Sequence, residues 1–399
     1  MSGSLSSLAS LSTVITKGTT PTTLGYAHSD SGIPFLRVQN IFGGQVNFEE
    51  DTLFIGSDTH AALKRSQIQG GDVLVTIAGT IGRTGVVPFQ APSMNCNQAV
   101  AIIRPTAKVE RSYLRHWLES QDARGQMIGS TVTGTISNLS LSQLGELKVP
   151  LPPLKEQYRI AAILDQAETL RTNRRVALAQ LDSLTQSIFL AMFGDPVVNP
   201  NGWPCHSLGD LIAEGPQNGL YKPSTDYGSG TPILRIDAFY DGVVTKLDTL
   251  KRVRLDANDV MLFGLQSEDI VINRVNSIEY LGKSALIPKL SEPTVFESNM
   301  MRFKVKLDQV DPGYVVHFLQ TGYIKGQILS GSKNAVNQSS INQQDVKGFR
   351  INVPPLPLQQ TFATRIQAIE SLKTAHRAAL AQLDALFASL QQRVFAGLL

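Results

Sequence analysis

Hydrophobic positions in two segments of the chain, residues 160–192 and 362–394, follow a heptad spacing. Prolines precede each segment, and Gly194 and Gly397 follow them, which suits helix starts and C-terminal caps. About five heptads in each segment predict two long helices that pair as a coiled coil. The alternative, two independent core helices, requires helices longer than globular cores usually contain. The leucines predicted to lie in the seam of the coiled coil include Leu170, Leu184, Leu372 and Leu386.

Elsewhere the hydrophobic runs are short, rich in β-branched residues and bounded by Gly, Pro or Asp, which predicts strands. Such runs are PFLRVQ, GDVLVTIA and QAVAIIRP in the first part of the chain, and PILRID, DIVINRV and SALIPK in the second. The stretches YLRHWLESQ and YVVHFLQTG predict amphipathic helices. Their histidines, His116 and His317, are expected to pack or to face solvent rather than to act in catalysis. The predicted fold class is therefore α+β.

The chain repeats itself. The hexapeptide ALAQLD occurs at Ala177–Asp182 and again at Ala379–Asp384, and a shift of 202 residues aligns the two long helical segments without a gap. SGIPFLRVQNI also corresponds to SGTPILRIDAF, and the segment 70–88 corresponds to 267–288. One duplication of this length predicts a pseudo-two-fold internal repeat rather than a solenoid. The predicted parts are a mixed α/β domain at 1–150, a helical spacer at 151–196, a second mixed α/β domain at 197–352 and a second helical spacer at 353–399.

A polar pair lies near the middle of the predicted helices. Arg174 and His376 occupy equivalent heptad positions, so an antiparallel coiled coil would bring them into one layer. A polar layer inside a coiled coil typically fixes register at some cost in stability. Each helix would be a rod roughly 58 Å long.

The net charge of +3 is nearly neutral for 399 residues, which argues against a self-sufficient basic surface. The two cysteines cannot form a disulfide framework, so a reducing cytoplasm is expected. The start of the chain lacks the features of a signal peptide, and no run of about 18 apolar residues predicts a membrane span.

Motifs of common enzyme sites do not occur in the sequence. There is no P-loop, no dinucleotide-binding glycine fingerprint and no Gly-x-Ser-x-Gly elbow. The glycine-dense GTIGRTG at 79–85 fits neither phosphate-binding pattern and is interpreted as a tight turn. The six histidines and two cysteines show no metal-ligand spacing. The chain is therefore expected to have no catalytic residues, no metal site and no cofactor of its own.

Several strings taken together have the pattern of one family. They are VPLPPLKEQYRIAAILDQA at 149–167, AMFGDP at 191–196 followed by NPNGWP, the paired PFLRV and PILRI, and DIVINRVNSIEYLGKSALIP. Over essentially its whole length the chain resembles the specificity subunit of type I restriction–modification systems. The second helix departs from the pattern, since it reads LPLQQ where the first reads LKEQ, which could alter one contact with a partner.

The resemblance implies a function. Each α/β domain would be a target-recognition domain that reads one half of a bipartite, asymmetric sequence in double-stranded DNA. The two helices would form an antiparallel coiled coil that measures the unspecified spacer. Two methyltransferase subunits that use S-adenosylmethionine, and restriction/translocase subunits that use ATP, would assemble on this chain, which itself would not be catalytic.

Candidate DNA-binding residues are polar or basic side chains on loops beside strands, because Arg and Lys pair with guanine and Asn and Gln with adenine. The alternative role for each is a turn residue that caps the local backbone. The candidates are Lys17, Arg37, Asn40, Thr80, Arg83, Asn138, Lys222, Arg235, Arg274, Asn276, Lys283, Asn337 and Gln338.

Two other functions would produce some of the same features. One is a coiled-coil scaffold that joins protein partners without DNA readout, against which the repeated Arg and Asn residues beside strands argue. The other is a methyltransferase with fused recognition domains, which would bind S-adenosylmethionine. Given the small net charge, the isolated chain is expected to bind DNA weakly and with a shallow salt dependence.

Overall fold

The computed structural model describes residues 4–129, 138–245, 247–331, 333–335 and 338–398, with the backbone alone for residues 129, 333–335 and 338. The described chain forms two compact units. Unit 1 comprises Met1–Ala177 together with His376–Leu399, and unit 2 comprises Leu178–Ala375. The domains predicted from the sequence are consecutive segments of the chain. Each compact unit instead combines one α/β part with a portion of both long helices.

In unit 1 the strands form three sheets and a hairpin. The outer pair is Ser4–Ser7 with Lys148–Leu151, and the hairpin is Ile41–Phe42 with Gln45–Val46. One four-stranded sheet has the order Leu53–Ile55, Ile33–Leu36, Met94–Cys96 and Gln67–Ile68. The other has the order Ser12–Lys17, Val100–Pro105, Val73–Thr76 and Thr84–Val86. The α-helices are Ser57–Ala62, Arg111–Leu118, Gln121–Gly129, Leu141–Glu146 and the first long helix, Leu154–Phe193, which continues into unit 2.

Unit 2 repeats the same plan. Cys205–Ser207 pairs with Arg350–Asn352, and a six-stranded sheet has the order Ile212–Asn218, Met300–Val305, Ile270–Asn273, Ser284–Leu286, Gly242–Val244 and Phe239–Tyr240. Two three-stranded sheets contain Lys251–Val253, Tyr227–Leu234 and Val295–Phe296, and Val275–Asn276, Gln338–Ser340 and Lys333–Ala335. The α-helices are Leu208–Leu211, Ala257–Phe263, Pro312–Leu319, Gly322–Gly331, Gln343–Gly348 and the second long helix, Leu356–Phe395, which ends in unit 1. The fold is thus α+β with an internal repeat.

Both long helices end where the sequence predicts. Gly194 and Gly397 follow the last helical residue with φ of 78° and 72°, a left-handed conformation that glycine adopts without a steric penalty. The amide of Gly194 donates to the carbonyl of Leu190 at 2.9 Å, which satisfies one of the last carbonyls of the first helix.

The two long helices pack antiparallel within each unit. In unit 1, Ile160 and Leu164 share a core with Val394, near the opposite end of the partner helix. In unit 2, the Phe189 ring lies 5.6 Å from the Phe362 ring. The apolar stripes of both helices therefore face the cores of the units as well as each other.

The buried seam includes predicted residues such as Ile160, Leu164, Ile366 and Ile369, but it does not include every predicted leucine. Leu170, Leu184, Leu372 and Leu386 are exposed, although their heptad positions predicted burial. Lys373, one position after Leu372, is buried instead. The buried Lys373 lies 2.9 Å from Asp182 of the first long helix, so the buried position is occupied by a paired charge.

One buried glutamine on each long helix joins that helix to the α/β part through the same hydrogen bonds in both units. Gln157 accepts a hydrogen bond from the amide of Glu110 at 2.8 Å and donates to the carbonyl of Pro152 at 2.8 Å. Gln359 accepts from the amide of Asp311 at 2.9 Å and donates to the carbonyl of Pro354 at 2.7 Å. Both glutamines are buried. This contact is the same in both units despite the change from LKEQ to LPLQQ.

Within the described residues, the first long helix meets the length and composition of a membrane span, with a mean hydropathy of 1.3 over the qualifying stretch. The sequence analysis had predicted no such stretch. One helix of this kind is weak evidence, because helices that pack in protein cores pass the same test. Leu164 and Phe193 of this helix are buried in the cores of units 1 and 2, whereas most of the qualifying stretch is not buried.

Candidate nucleic-acid interface

Arg37 and Arg235 occupy equivalent positions, each just after a strand that the repeat predicts. The Arg37 guanidinium lies 3.5 Å from the Asp51 carboxylate, and the Arg235 guanidinium lies 3.3 Å from the Glu297 carboxylate. Both arginines are about one-third exposed, with side-chain fractions of 29% and 33%. In each, the Nε group is buried without a hydrogen-bond partner among the described residues. The acidic neighbours hold both guanidinium groups at the surface of their loops.

Asn40 lies in the same loop as Arg37 but is buried, with 2% of its surface exposed. Its Oδ1 accepts from the amide of Arg37 at 2.8 Å, and its Nδ2 donates to Thr52 Oγ1 at 3.2 Å. Both ends of the amide are therefore used inside the protein. This geometry fits the alternative role of a residue that caps a local turn.

The glycine-dense turn at 79–85 gathers three more candidates. Thr80 is exposed at its tip, and its carbonyl accepts a hydrogen bond from Thr76 Oγ1. The amide of Arg83 donates to the same hydroxyl at 2.9 Å, so Thr76 closes the turn. Asn138 is exposed and forms a bridge with Ala78. Lys17 is half-buried at the end of the strand Ser12–Lys17.

The Arg83 side chain leaves this turn and lies over the ring of Phe42, 5.8 Å from its centroid. Phe42 belongs to the hairpin that directly follows the loop of Arg37 and Asn40. In unit 1 the structure therefore brings the loop at 37–40, the hairpin at 41–46 and the glycine-dense turn to one place.

Unit 2 has a matching arrangement around Lys283. Its ammonium lies 3.9 Å from the centroid of the Tyr240 ring and donates to the carbonyl of Ile236, next to Arg235. Arg274 donates to the carbonyl of Ser298 at 3.3 Å. Arg235 and Lys283 are thus brought together by adjacent loops.

The remaining candidates of unit 2 have other surroundings. Lys222 pairs with Asp259 at 2.8 Å, and its hydrogen bond to that carboxylate raises the pKa of Lys222. Asn276 Oδ1 accepts from the amide of Ser277 at 2.8 Å. Gln338 lies in the strand Gln338–Ser340, whose neighbouring residue Ser339 pairs with Asn276. Asn337 lies outside the described residues.

The histidines of the two amphipathic helices have different environments. His116 is fully buried, and its Nε2 lies 2.7 Å from the Asp165 carboxylate. Burial would raise the pKa of Asp165, but hydrogen bonds from His116 and Ser112 outweigh it and lower that pKa to about 2. In unit 2, burial lowers the pKa of His317 to about 4.

The group His116, Asp165 and Glu168 has the donor atoms of a metal site, all within 4.8 Å of one another. The guanidinium of Arg115 lies among them, 3.0 Å from Asp165 and 2.6 Å from Glu168. A second cation in the same space would meet that charge at hydrogen-bond distance. The donor set therefore fits an internal ion-pair network in which arginine is the cation.

Sequence reasoning missed Phe42 and Tyr240, although the aligned strings IFGGQV and FYDGVV carried a signal. Each has an aromatic residue before a two-residue turn that contains glycine. Two-residue turns of this kind connect β-hairpins, and the same hairpin in both units puts the aromatic residue beside a cation.

The comparisons with known proteins agree with this architecture. The family described as type I restriction modification DNA specificity domain matches residues 5–180 and 200–384. The EcoKI specificity subunit of Escherichia coli (strain K12) is 23% identical over 389 residues, a match that covers 92% of this chain and 82% of that protein. The StySPI specificity subunit of Salmonella potsdam is 23% identical over 388 residues, with 92% and 82% covered.

A solved structure of the S subunit of a type I restriction–modification system from M. genitalium superimposes with a TM-score of 0.62. It covers 98% of this chain and 96% of that one at 14% sequence identity, a likeness that concerns the fold. The two family matches include most of the chain, one on each copy of the internal repeat. The chain therefore belongs to the family of type I restriction–modification DNA specificity subunits.

Proposed function

We propose that this chain is the non-catalytic sequence reader of a type I restriction–modification complex, in which each unit reads one half of a bipartite DNA target. The observation that carries the proposal is that the two α/β parts are joined to the long helices in the same way, whereas their loops differ. Gln157 and Gln359 join the units to the long helices through the same hydrogen bonds. In contrast, the segment 70–88, which contains the glycine-dense turn, corresponds to a segment that is three residues longer, 267–288. A constant frame with variable loops is what two half-sites of different sequence require.

Base contacts are assigned to the loops beside the strands. The basic and amide side chains there have the donors and acceptors that distinguish base pairs in the major groove. The proposed DNA-binding residues remain those predicted from the sequence, with the exception of the buried Asn40. Among them, Arg37, Arg83, Arg235 and Lys283 have the strongest support, because equivalent cations occupy equivalent loops in both units.

The burial of Asn40 assigns it a different part in the same function. With its amide held by the Arg37 amide and Thr52, it shapes the loop that presents Arg37. A residue of this kind affects recognition by positioning another side chain.

The proposed partners carry out the reactions that this chain does not catalyse. Two methyltransferase subunits would supply S-adenosylmethionine chemistry, and restriction/translocase subunits would supply ATP-driven cleavage. The net charge of +3 supports this arrangement, since partner subunits can share the neutralisation of phosphates. The complex would act on chromosomal and foreign DNA in the cytoplasm.

The direct test compares the purified chain, the methyltransferase subunit and their complex. We expect S-adenosylmethionine to bind wherever the methyltransferase subunit is present and not to the chain alone. We expect tight, sequence-selective DNA binding at physiological salt from the complex, and weak binding with a shallow salt dependence from the chain alone. Binding of S-adenosylmethionine by the chain alone would favour a fused methyltransferase. A complex without sequence preference would favour a protein scaffold.

A further inference from the structure

Each unit exposes one aromatic side chain on the same hairpin. In unit 1, Phe42 pairs with Gln45 across the two-residue turn Gly43–Gly44, and 73% of its surface is exposed. In unit 2, Tyr240 pairs with Val243 across Asp241–Gly242, and 42% of its surface is exposed. The turn residues have positive φ in both hairpins, 61° and 75° in unit 1 and 50° and 85° in unit 2, as is typical of the turns that close tight hairpins.

Both hairpins are anchored in the same way. The residue before each aromatic side chain, Ile41 or Phe239, is fully buried. The second glycine or the only glycine of each turn also pairs in parallel with the strand that follows the cation. Gly44 pairs with Gly85 in unit 1, and Gly242 pairs with Ala285 in unit 2. The exposed ring is therefore held on a rigid support in each unit.

The cation belongs to the loop that leads into that neighbouring strand. Arg83 lies 5.8 Å from the Phe42 centroid, and Lys283 lies 3.9 Å from the Tyr240 centroid. An exposed cation–π contact stabilises a fold only weakly. In both units a ring and a cation are therefore held together on an exposed hairpin, where an external ligand can reach them.

Phe89 provides a contrast within unit 1. It is 68% exposed, and Arg111 lies 4.9 Å from its ring centroid. The repeat places Lys289 at the equivalent position of unit 2, so this aromatic side chain is not repeated. The hairpin pair is thus distinguished by its presence in both units and not by exposure alone.

We propose that the pairs Phe42–Arg83 and Tyr240–Lys283 are DNA contacts, in which the ring packs on a deoxyribose or base edge and the cation lies against the adjacent phosphate. This inference rests on the proposed function. A nucleotide presents an apolar sugar and base beside a negative charge, which complements a ring beside a positive charge. Asp241, next to Tyr240, has a φ of 50°, which suits the short side chain that a hairpin turn requires.

The test uses the complete complex, purified through a tag on this chain, and a duplex that contains the methylated target. The variants are Phe42→Ala and Tyr240→Ala, with Phe89→Ala and Leu307→Ala as exposed controls in the respective units. We expect each hairpin variant to bind the target about tenfold more weakly, the scale of one lost aromatic contact to a nucleotide. We expect the controls to bind as the wild type does. Phe42→Tyr and Tyr240→Phe keep an aromatic ring and should also bind the target with wild-type affinity.

A second measurement keeps the inference testable if an alanine variant fails to assemble. Arg83→Gln and Lys283→Gln retain the ring, and each should lower the slope of log Kd against log salt by about one, as expected for one lost phosphate contact. Affinities within twofold of the wild type for both alanine variants, or unchanged salt slopes, would overturn the inference. A wild-type complex without preference for the target would instead overturn the proposed function.

Discussion

Arg171 on the first long helix and Asp384 on the second form an ion pair of 2.6 Å in unit 1. The residues at equivalent positions of the repeat, Lys373 and Asp182, form an ion pair of 2.9 Å in unit 2. Both cations lie in the seam, and the Lys373 side chain is 3% exposed. Burial would lower the pKa of Lys373, but hydrogen bonds to Glu370 and Asp182 raise it above its usual value. Ion pairs therefore join the two long helices on either side of their midpoints.

A charge exchange tests whether the pair in unit 1 contributes to helix pairing. Arg171→Glu and Asp384→Arg each place like charges in contact, so each should lower the free energy of unfolding by roughly 1–2 kcal/mol. The double variant should recover part of the loss, with a coupling energy of about 1 kcal/mol. Urea unfolding of the four proteins measures this coupling, and strictly additive losses would show that the ion pair does not act as a unit.

The layer of Arg174 and His376 makes a different prediction. Arg174 Nη1 donates to His376 Nδ1 at 3.2 Å, so the two residues meet in one layer, although Arg174 is exposed there rather than enclosed by the helices. Replacement of both residues by Leu should permit alternative helix pairings, because a polar layer typically specifies register and oligomeric state. Light scattering should then detect oligomers that the wild type does not form, whereas Asn173→Leu, one position away, should not produce them. An unchanged distribution of species in the double variant would show that the layer does not specify register.

Replacement of Gln157 or Gln359, which join the α/β parts to the long helices, should lower the stability of the corresponding unit. Gln359→Ala leaves the part-buried amide of Asp311 and the buried carbonyl of Pro354 without their side-chain partner. A buried unsatisfied group costs about 1–3 kcal/mol, and Gln157→Ala should have a similar effect in unit 1. Thermal unfolding measures the loss against Gln360→Ala, an exposed neighbour. Equal transition temperatures for Gln359→Ala and Gln360→Ala would contradict a stabilising role for the Gln359 hydrogen bonds.

His317 predicts a dependence on pH. Burial, assisted by Lys373, lowers its pKa from 6.5 to about 4. The unfolded chain therefore binds a proton as the pH falls through 6.5, while the folded chain does so near pH 4, and the folded state is destabilised across this window. His317→Gln should lose less stability than the wild type between pH 6.5 and pH 4, measured as the urea midpoint. His206→Gln, an exposed control in unit 2, should behave as the wild type; identical pH profiles for all three proteins would exclude His317 as the source.

The sequence predicted the features that depend on local pattern and on repetition. Proline-led helices ending at Gly194 and Gly397 follow from local conformational preferences, and the two units follow from the shift that aligns ALAQLD with itself. The helical seam was only partly predictable. Leu372 and Lys373 are adjacent, and hydrophobicity alone favours burial of the leucine, whereas the pairing of Lys373 with Asp182 and Glu370 buries the lysine.

Loop chemistry was harder to predict for a physical reason. Asn40 and Arg37 belong to one short loop and are equally suitable base readers by residue type. Only the three-dimensional course of the loop shows that Asn40 is buried by hydrogen bonds to its neighbours while Arg37 stays at the surface. The hairpin rings of Phe42 and Tyr240 are likewise recognised by their contacts with cations from a distant part of the chain.

The most direct test of sequence reading is a map of N6-methyladenine across the genome of the native host, with the gene intact and with it deleted. We expect deletion to abolish methylation at one bipartite motif and to leave every other methylated motif unchanged. Restoration of the gene should restore that motif. A map that is identical with and without the gene would contradict the claim that this chain directs methylation to a DNA sequence.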